Sequence, residues 1–501
     1  MKISQLNTEK KIGLLLMVGV NGHHPDKIVQ KRMENNYISA FILFQKNTPT
    51  PDVTNILTYE LNQMAQQFCL PKLLIAIDQE HGRVIRIRNG VTRFPAAYGL
   101  GCLNNQQYVY DASYISGCEL RSLGININFA PVADINSNPE NPIIGTRSFG
   151  EKPILVAEMV RKAVKGYQNA GILCSAKHFP GHGDVAIDSH IDLPVCEKSI
   201  EELTQMELLP FKSAILESVP MIMTAHILYP KIDPKCPATF SPIILTQMLR
   251  NQLNYQGVII SDDLEMKALT RYGNHAELAI QMINAGCDML IISENLTRDV
   301  SVDAVYHALV EAVNMNIISE KRLNESAQRV LDLRKKISTN TDEIPDIRSS
   351  EHLSISHRMM RDVFMNNHHS DHFPVHVYPE QCIILSDVEE LLHICPDIQI
   401  NLLLITKETT PEEIIAQLNG KKEIFIFLSR TFYLSTFQEI KWATHHHIRF
   451  FSLNNPYIQT KINIPFTSYI NLYADCLPVE ILSELIFHFN DESQLNQKEM
   501  L

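Results

Sequence analysis

No two cysteines in this chain stand in a CxxC pair, although ten are present, at positions 69, 102, 118, 174, 196, 236, 287, 382, 395 and 476. Several lie inside apolar runs, as Cys174 does in GILCSA. That scatter excludes a zinc ribbon and a disulfide framework, and it reads as reduced, buried thiols in a reducing compartment, the cytoplasm by default. Lysine and arginine never gather into a block of more than three, and the formal net charge is −12. A nucleic-acid or anionic-membrane partner is therefore disfavoured. There is no apolar run of eighteen residues, so nothing reads as a membrane span. The segment KKIGLLLMVGV (10–20) imitates a secretory leader, but its apolar run is short, Glu9 precedes it and NGHHPD follows; it reads as a buried strand. Neither GxGxxG nor GxxxxGK[ST] occurs, which removes the usual phosphate-cradling loops.

What is present fits a globular protein acting on a small, uncharged substrate. The 501 residues are 45% hydrophobic and 20% charged, enough for two or three domains with their own cores. Eight short apolar runs cross the first two-thirds: 14–20, 38–44, 72–78, 125–132, 172–178, 220–226, 257–263 and 288–294. They are continuously apolar, as strands buried on both faces must be, and helical stretches such as TPDVTNILTYELNQMAQQFC separate them. Strand and helix alternating eight times predict a (β/α)8 TIM barrel over residues 1–337. Residues 338–350 are polar and aperiodic and read as a linker. Residues 351–501 alternate helical and strand-like segments (CIILSD, INLLLIT, EIFIFLS, IRFFSLNN) and predict a smaller α/β sandwich-like domain. The His445–His447 run there reads as a solvated surface.

Polar residues close several of these runs: Asp78, Lys177 with His178, His226, Asp262 and Glu294. Strand carboxyl ends share one face of a barrel, so these side chains are expected to converge there. The densest stretch is KHFPGHGDVAIDSH (177–190). As a metal site it would need His178 and His182 on one helix face, but Pro180, Gly181 and Gly183 spoil a helix. Lys177 would also set a positive charge beside the ion. His182 reads as a hydrogen-bonding group of the loop. Asp188 and His190, two apart, form a carboxylate–imidazole pair able to move a proton. Asp262 is a candidate nucleophile or electrostatic partner, and Asp263 should point the other way on an extended chain.

With these residues in place, the chain resembles glycoside hydrolase family 3, and within it the bacterial β-N-acetylglucosaminidases that trim peptidoglycan fragments. The resemblance rests on six motifs in order: IDQEHGRV (77–84), NFAPVADI (128–135), IGTRSFG (144–150), KHFPGHGDVAIDSH, MTAHILYP (223–230) and GVIISDDLEM (257–266). It implies Asp262 as the nucleophile of a covalent glycosyl-enzyme and His190 as acid/base in a dyad with Asp188. It also implies Asp78, Arg86, Arg147, Lys177 and His178 as holders of the sugar's hydroxyls and acetamido group, with no metal and no cofactor. The family usually reads EGG where this chain has Glu80-His81-Gly82, a change expected to reshape the pocket mouth. Beyond residue 350 only NNPY (454–457) and its surroundings resemble the family's second domain. The expected activity is retaining exo-hydrolysis of terminal GlcNAc from muropeptides. A histidine donor repels an incoming anion less than a carboxylate does, so a phosphorylase on the same fold stays open as the alternative. A catalytically silent sugar-binding sensor and a metal-dependent hydrolase are the others.

Overall fold

The computed structural model describes residues 2–186, 193–296, 301–338, 346–366, 382–386, 401–404, 409–418, 423–428, 447–452 and 468–471. Asp188 and His190, and most of the 338–350 stretch, lie outside them.

The eight apolar runs become eight parallel strands: β1 (Leu16–Gly19), β2 (Ala40–Leu43), β3 (Leu74–Ile77), β4 (Ile127–Asn128), β5 (Leu173–Phe179), β6 (Met221–Thr224), β7 (Val258–Asp263) and β8 (Met289–Ile292). They pair in chain order, and β1 closes on β8 with Leu16 opposite Leu290, so the sheet is a closed barrel. Helices between the strands cover its outside. Their starts are written in the sequence: Thr50 caps Pro51–Gln67 with proline at the first turn, and Asn274 and Glu277 form a capping box on His275–Ala285. Every residue of the eight strands is buried except Asp262, which is partly open. In a barrel filled by its own side chains, that one opening marks where the interior meets the outside.

Some element boundaries depart from the sequence reading. The first apolar run does not start as a strand: Thr8–Leu15 is a helix, capped by the Asn7 side chain on the Lys10 amide, and extension begins only at Leu16. A run apolar on every side cannot by itself distinguish a buried helix from a buried strand. Of the 125–132 run only Ile127–Asn128 forms a strand, and Val132 adds an isolated parallel bridge to Lys177. Between β5 and β6 lie two helices, Ile200–Gln205 and Leu208–Leu216, interrupted at Met206.

The amino ends of the strands are bound together by buried charge. Asp288, fully buried before β8, accepts from Arg250, from Arg329 at 3.1 Å, from Arg322 at 3.3 Å, from Ser326 Oγ at 2.8 Å and from the Ile259 amide at 3.0 Å. Arg334, on the helix Glu320–Lys335, donates to the Ser39 carbonyl at 3.1 Å, to Ser39 Oγ at 2.9 Å and to the Lys72 carbonyl. This end serves stability, and the opposite end is left for chemistry.

The chain divides into two compact units, one of residues 1–80, 84–92 and 104–353, the other of 81–83, 93–103 and 354–501. In the second unit a parallel five-stranded sheet runs in the order β10-β9-β11-β12-β13, with β9 Cys382–Ser386, β10 Asn401–Leu404, β11 Glu423–Leu428, β12 His447–Ser452 and β13 Ser468–Asn471. His447 opens β12 opposite Glu423, while 445 and 446 lie outside the described residues. Val363 packs on Ala96 in the same unit.

Candidate active site

The carboxyl ends of β3 and β5 carry a part-buried chain of alternating charges. Lys177 Nζ lies 2.8 Å from Asp78 Oδ1 and 2.5 Å from Glu80 Oε1. Arg147 grips Glu80 with Nε and Nη2, both at 2.8 Å, a bidentate pairing. Arg86 Nη2 reaches Asp78 Oδ2 at 3.0 Å, and its guanidinium lies 5.4 Å from the centre of the Phe44 ring. Burial alone would raise the pKa of Glu80, but Arg147 and Lys177 win and hold it down at about 2. The same contest holds Asp78 well below the carboxylate range, with burial opposed by Lys177 and Arg86. Burial works against the charge of Lys177 too, and Asp78 and Glu80 overcome it, so its pKa rises. All three are charged at neutral pH.

Local sequence explains the placement. Gln79 Oε1 accepts the amides of Arg86 and Ile87 at 3.0 and 3.1 Å, folding the chain back so that Arg86 meets Asp78. The Gln79 amide is held in turn by Asn128 Oδ1 at 2.9 Å. On β5, the ladder to β6 shifts register between Ala176 and Phe179. An irregularity of this kind re-aims side chains that a straight strand would send to opposite faces. Lys177 thus reaches Asp78 while His178 turns to Asp134.

Asp134 is a fully buried carboxylate. It accepts His178 Nδ1 at 2.7 Å, the His178 amide at 3.1 Å and the His182 amide at 2.6 Å. A carboxylate can only accept, so Nδ1 carries the proton and Nε2 is the ring's remaining polar atom. His182 is buried, and burial followed by the nearby His178 pushes its pKa down to about 4. It is neutral at physiological pH. Its carbonyl takes Asn141 Nδ2 at 2.7 Å. Among the described residues there is no group of three or more His, Cys, Asp or Glu side chains placed to hold a metal ion.

Asp262 is the partly open residue near the end of β7, and its Oδ1 accepts the Asp263 amide at 2.8 Å. Asp78, Arg86 and Lys177 are therefore joined directly, Arg147 joins them through Glu80, and His178 is held from Asp134. Asp262 stands on the same barrel face. Asp188 and His190 fall outside the described residues. His81 is buried with its ring edge-on to Phe94, centroids 5.0 Å apart, and its φ is +73°. Its imidazole is packed against a neighbouring ring and does not stand open to solvent. Glycine follows at 82 of necessity, since a Cβ there would come within 2.5 Å of the Ala96 methyl.

Sequence reasoning passed over Glu80 and Asp134. Both lie inside quoted motifs, and the signal was charge balance: Lys177 and Arg147 need countercharges, and burial makes that need strict.

The fold is matched by the comparisons. The family model described as glycosyl hydrolase family 3 N terminal domain covers residues 7–333. A protein of Pseudoalteromonas piscicida named beta-hexosaminidase A is 40% identical over 321 residues, 60% of this chain and 54% of that protein, so the match spans about half of the relative's length. A beta-hexosaminidase of Nitrosomonas eutropha is 34% identical over 283 residues, 55% of this chain and 80% of its own. The solved structure of a glycoside hydrolase family 3 β-N-acetylglucosaminidase from Paenibacillus sp. superimposes with a TM-score of 0.87 at 30% identity, covering 96% of this chain and 97% of that one. With the barrel, the charged carboxyl-end face and a matching family model in agreement, the chain belongs to glycosyl hydrolase family 3 and is a glycoside hydrolase.

Proposed function

We propose that the protein is a retaining exo-β-N-acetylglucosaminidase that removes terminal non-reducing GlcNAc from peptidoglycan-derived muropeptides in the cytoplasm. The observation that carries this reading is the part-buried Asp78–Lys177–Glu80–Arg147 constellation on the same barrel face as a partly open Asp262. An ammonium has three N–H donors. Two are taken by Asp78 and Glu80, and the third is available to a sugar hydroxyl. Asp78 and Arg86 supply a fixed acceptor and donor beside it, and Arg147 and His178 extend the set towards the acetamido group. Oriented donors and acceptors of this kind bind a polyhydroxylated ring in one pose.

In that pose Asp262 attacks the anomeric carbon as the glycosidic C–O bond breaks, and the leaving oxygen takes a proton from His190. Water then attacks the glycosyl-enzyme, giving its proton back to His190, and the configuration is retained. Asp188 orients the imidazole. The cytoplasmic assignment leans on Cys118, Cys174, Cys196 and Cys287, which are buried thiols and not disulfides.

The test is turnover of an aryl β-N-acetylglucosaminide against the matching aryl β-glucoside, each with and without phosphate. Strong preference for the acetamido sugar, indifferent to phosphate, is expected. Sugar 1-phosphate as the product would establish phosphorolysis instead. Binding of GlcNAc with no turnover of either glycoside would establish a sensor.

A further inference from the structure

The carboxyl end of β7 holds two adjacent aspartates, and the structure treats them differently. Between Ile260 and Asp263 the ladder to β8 shifts register. Asp262 emerges partly open, and Asp263 turns inward and is buried. Asp263 is then fastened on every side. Its amide donates to Asp262 Oδ1 at 2.8 Å, and its carbonyl accepts His226 Nε2 at 3.0 Å and the Met266 amide at 3.2 Å. Its Oδ1 receives the amides of Glu265 at 3.2 Å and Ser293 at 3.3 Å. One residue thus ties β7 to the ends of β6 and β8.

The charges facing it are mostly negative. Asp262 and Glu265 flank it on its own segment, Glu294 lies past the end of β8, and His226 faces it from the end of β6. The other carboxylates are well supplied. Glu265 takes the Glu294 amide at 2.6 Å, the Leu296 amide at 2.8 Å and Ser293 Oγ at 3.4 Å. Glu294 takes both arms of Arg32 at 2.6 and 2.7 Å. Asp263 has two long amide bonds and the Ser293 side chain, and among the described residues no cation touches it. Where like charges crowd a buried corner, the carboxyl with the poorest compensation keeps its proton.

We propose that Asp263 is a positioning residue that works as a neutral carboxylic acid, holding the end of β7 in place without setting a second negative charge beside Asp262. The inference deepens the proposed mechanism and rests on that reading for the role of Asp262. Burial, and after it the nearby Glu265 and Asp262, raise the Asp263 pKa to about 7, outweighing its hydrogen bonds. Above that pH its ionisation drives the buried carboxylate against its neighbours and disturbs the fastening.

Asparagine reproduces the neutral acid in shape and cannot ionise. The experiment compares wild type, Asp263→Asn and Asp263→Ala in two ways. The first is the pH dependence of the single-turnover glycosylation rate on a 2,4-dinitrophenyl β-N-acetylglucosaminide, whose leaving group needs no proton donor, so that the alkaline limb reports groups around Asp262. Wild type should fall with a midpoint near 7. Asp263→Asn should keep most of the rate at pH 6 and lose that limb. Asp263→Ala should lose on the order of 10²-fold in rate with a smaller change in KM, as a displaced reacting group does. The second is Tm against pH, which needs no substrate. An acid whose pKa is raised on folding contributes stability that is full below its unfolded value and is lost as pH rises through the folded one. The Tm of wild type relative to Asp263→Asn should therefore decline between about pH 4 and pH 7 and then level. An Asn variant as damaged as Ala, an unchanged alkaline limb, a flat Tm difference or an Asn variant that does not fold would each overturn the proposal. If no glycoside is turned over but the Tm difference declines as stated, the proposed function has failed and the neutral Asp263 stands.

Discussion

Replacing Glu80 by glutamine keeps the shape of the side chain and deletes one charge from the part-buried chain that links Asp78, Lys177 and Arg147. The cost follows from the environment. Two cations, Arg147 with two bonds at 2.8 Å and Lys177 at 2.5 Å, lower the carboxylate from 4.5 to about 2, although burial pushes the other way. A difference of that size is about 3 kcal/mol of preference for the ionised form. It agrees with the ~3–5 kcal/mol lost when one partner of a buried ion pair is removed and the other is left uncompensated. The sign of the pH dependence is fixed as well. A carboxylate whose pKa is depressed on folding contributes stability that is full above its unfolded value and is lost as pH falls towards the folded one. The wild-type advantage over Glu80→Gln should be constant from pH 8 to about pH 5 and shrink below about pH 4.5. Urea unfolding followed by far-UV circular dichroism at pH 7, 5.5 and 4 measures it. A loss under about 1 kcal/mol at pH 7, or a gap that widens on acidification, would refute the reasoning, because the exposed-pair value would then apply.

Asp262→Ala should lose at least ~10³-fold in kcat, and a slow fluorosugar should leave its label on the peptide containing Asp262 in wild type. Label on Asp263, or on neither, overturns the assignment, the latter in favour of attack by the substrate's acetamido oxygen. His190→Ala should slow a natural disaccharide more than a nitrophenyl glycoside, by up to ~10²–10⁴-fold, with azide partly restoring turnover of the aryl substrate. Equal losses without rescue would mean that His190 only holds the loop or the sugar. Dialysis against a chelator should leave activity intact, since the Lys177 ammonium already occupies the place between Asp78 and Glu80 that a cation would take. Stoichiometric zinc whose removal abolishes turnover contradicts this.

The barrel was legible because each of its strands is buried on both faces and so leaves a continuous apolar run. Polar residues at the ends of the runs pointed to the candidate face, and Asp78, Lys177 and His178 meet their partners there. Boundaries were less legible: Leu14 and Leu15 are as apolar as Leu16 yet lie on a helix, because inside a barrel's wall both conformations are buried. Glu80 and Asp134 were hidden for a different reason. Their roles come from pairing with Arg147, Lys177 and His178, residues far off in sequence, and such pairings follow from three-dimensional approach and leave no periodicity. The unequal fates of Asp262 and Asp263 belong to the same class: alternation predicts opposite directions, but only the register shift and the neighbouring loops decide which is open and which is buried.

The seam where Leu16 lies opposite Leu290 bears on how the protein is made. β1 leaves the ribosome before the other seven barrel strands, and one of its two neighbours is made roughly 270 residues later. At about 5–20 residues per second the wait is on the order of 15–50 s. For that time the growing sheet has an open edge at β1, whose LMVG sequence is fully buried in the finished barrel. Closure brings together residues with one of the largest sequence separations in the barrel, a slow kind of contact to form. The nascent chain thus carries an unpaired apolar edge, the kind of surface that invites aggregation, until β8 arrives.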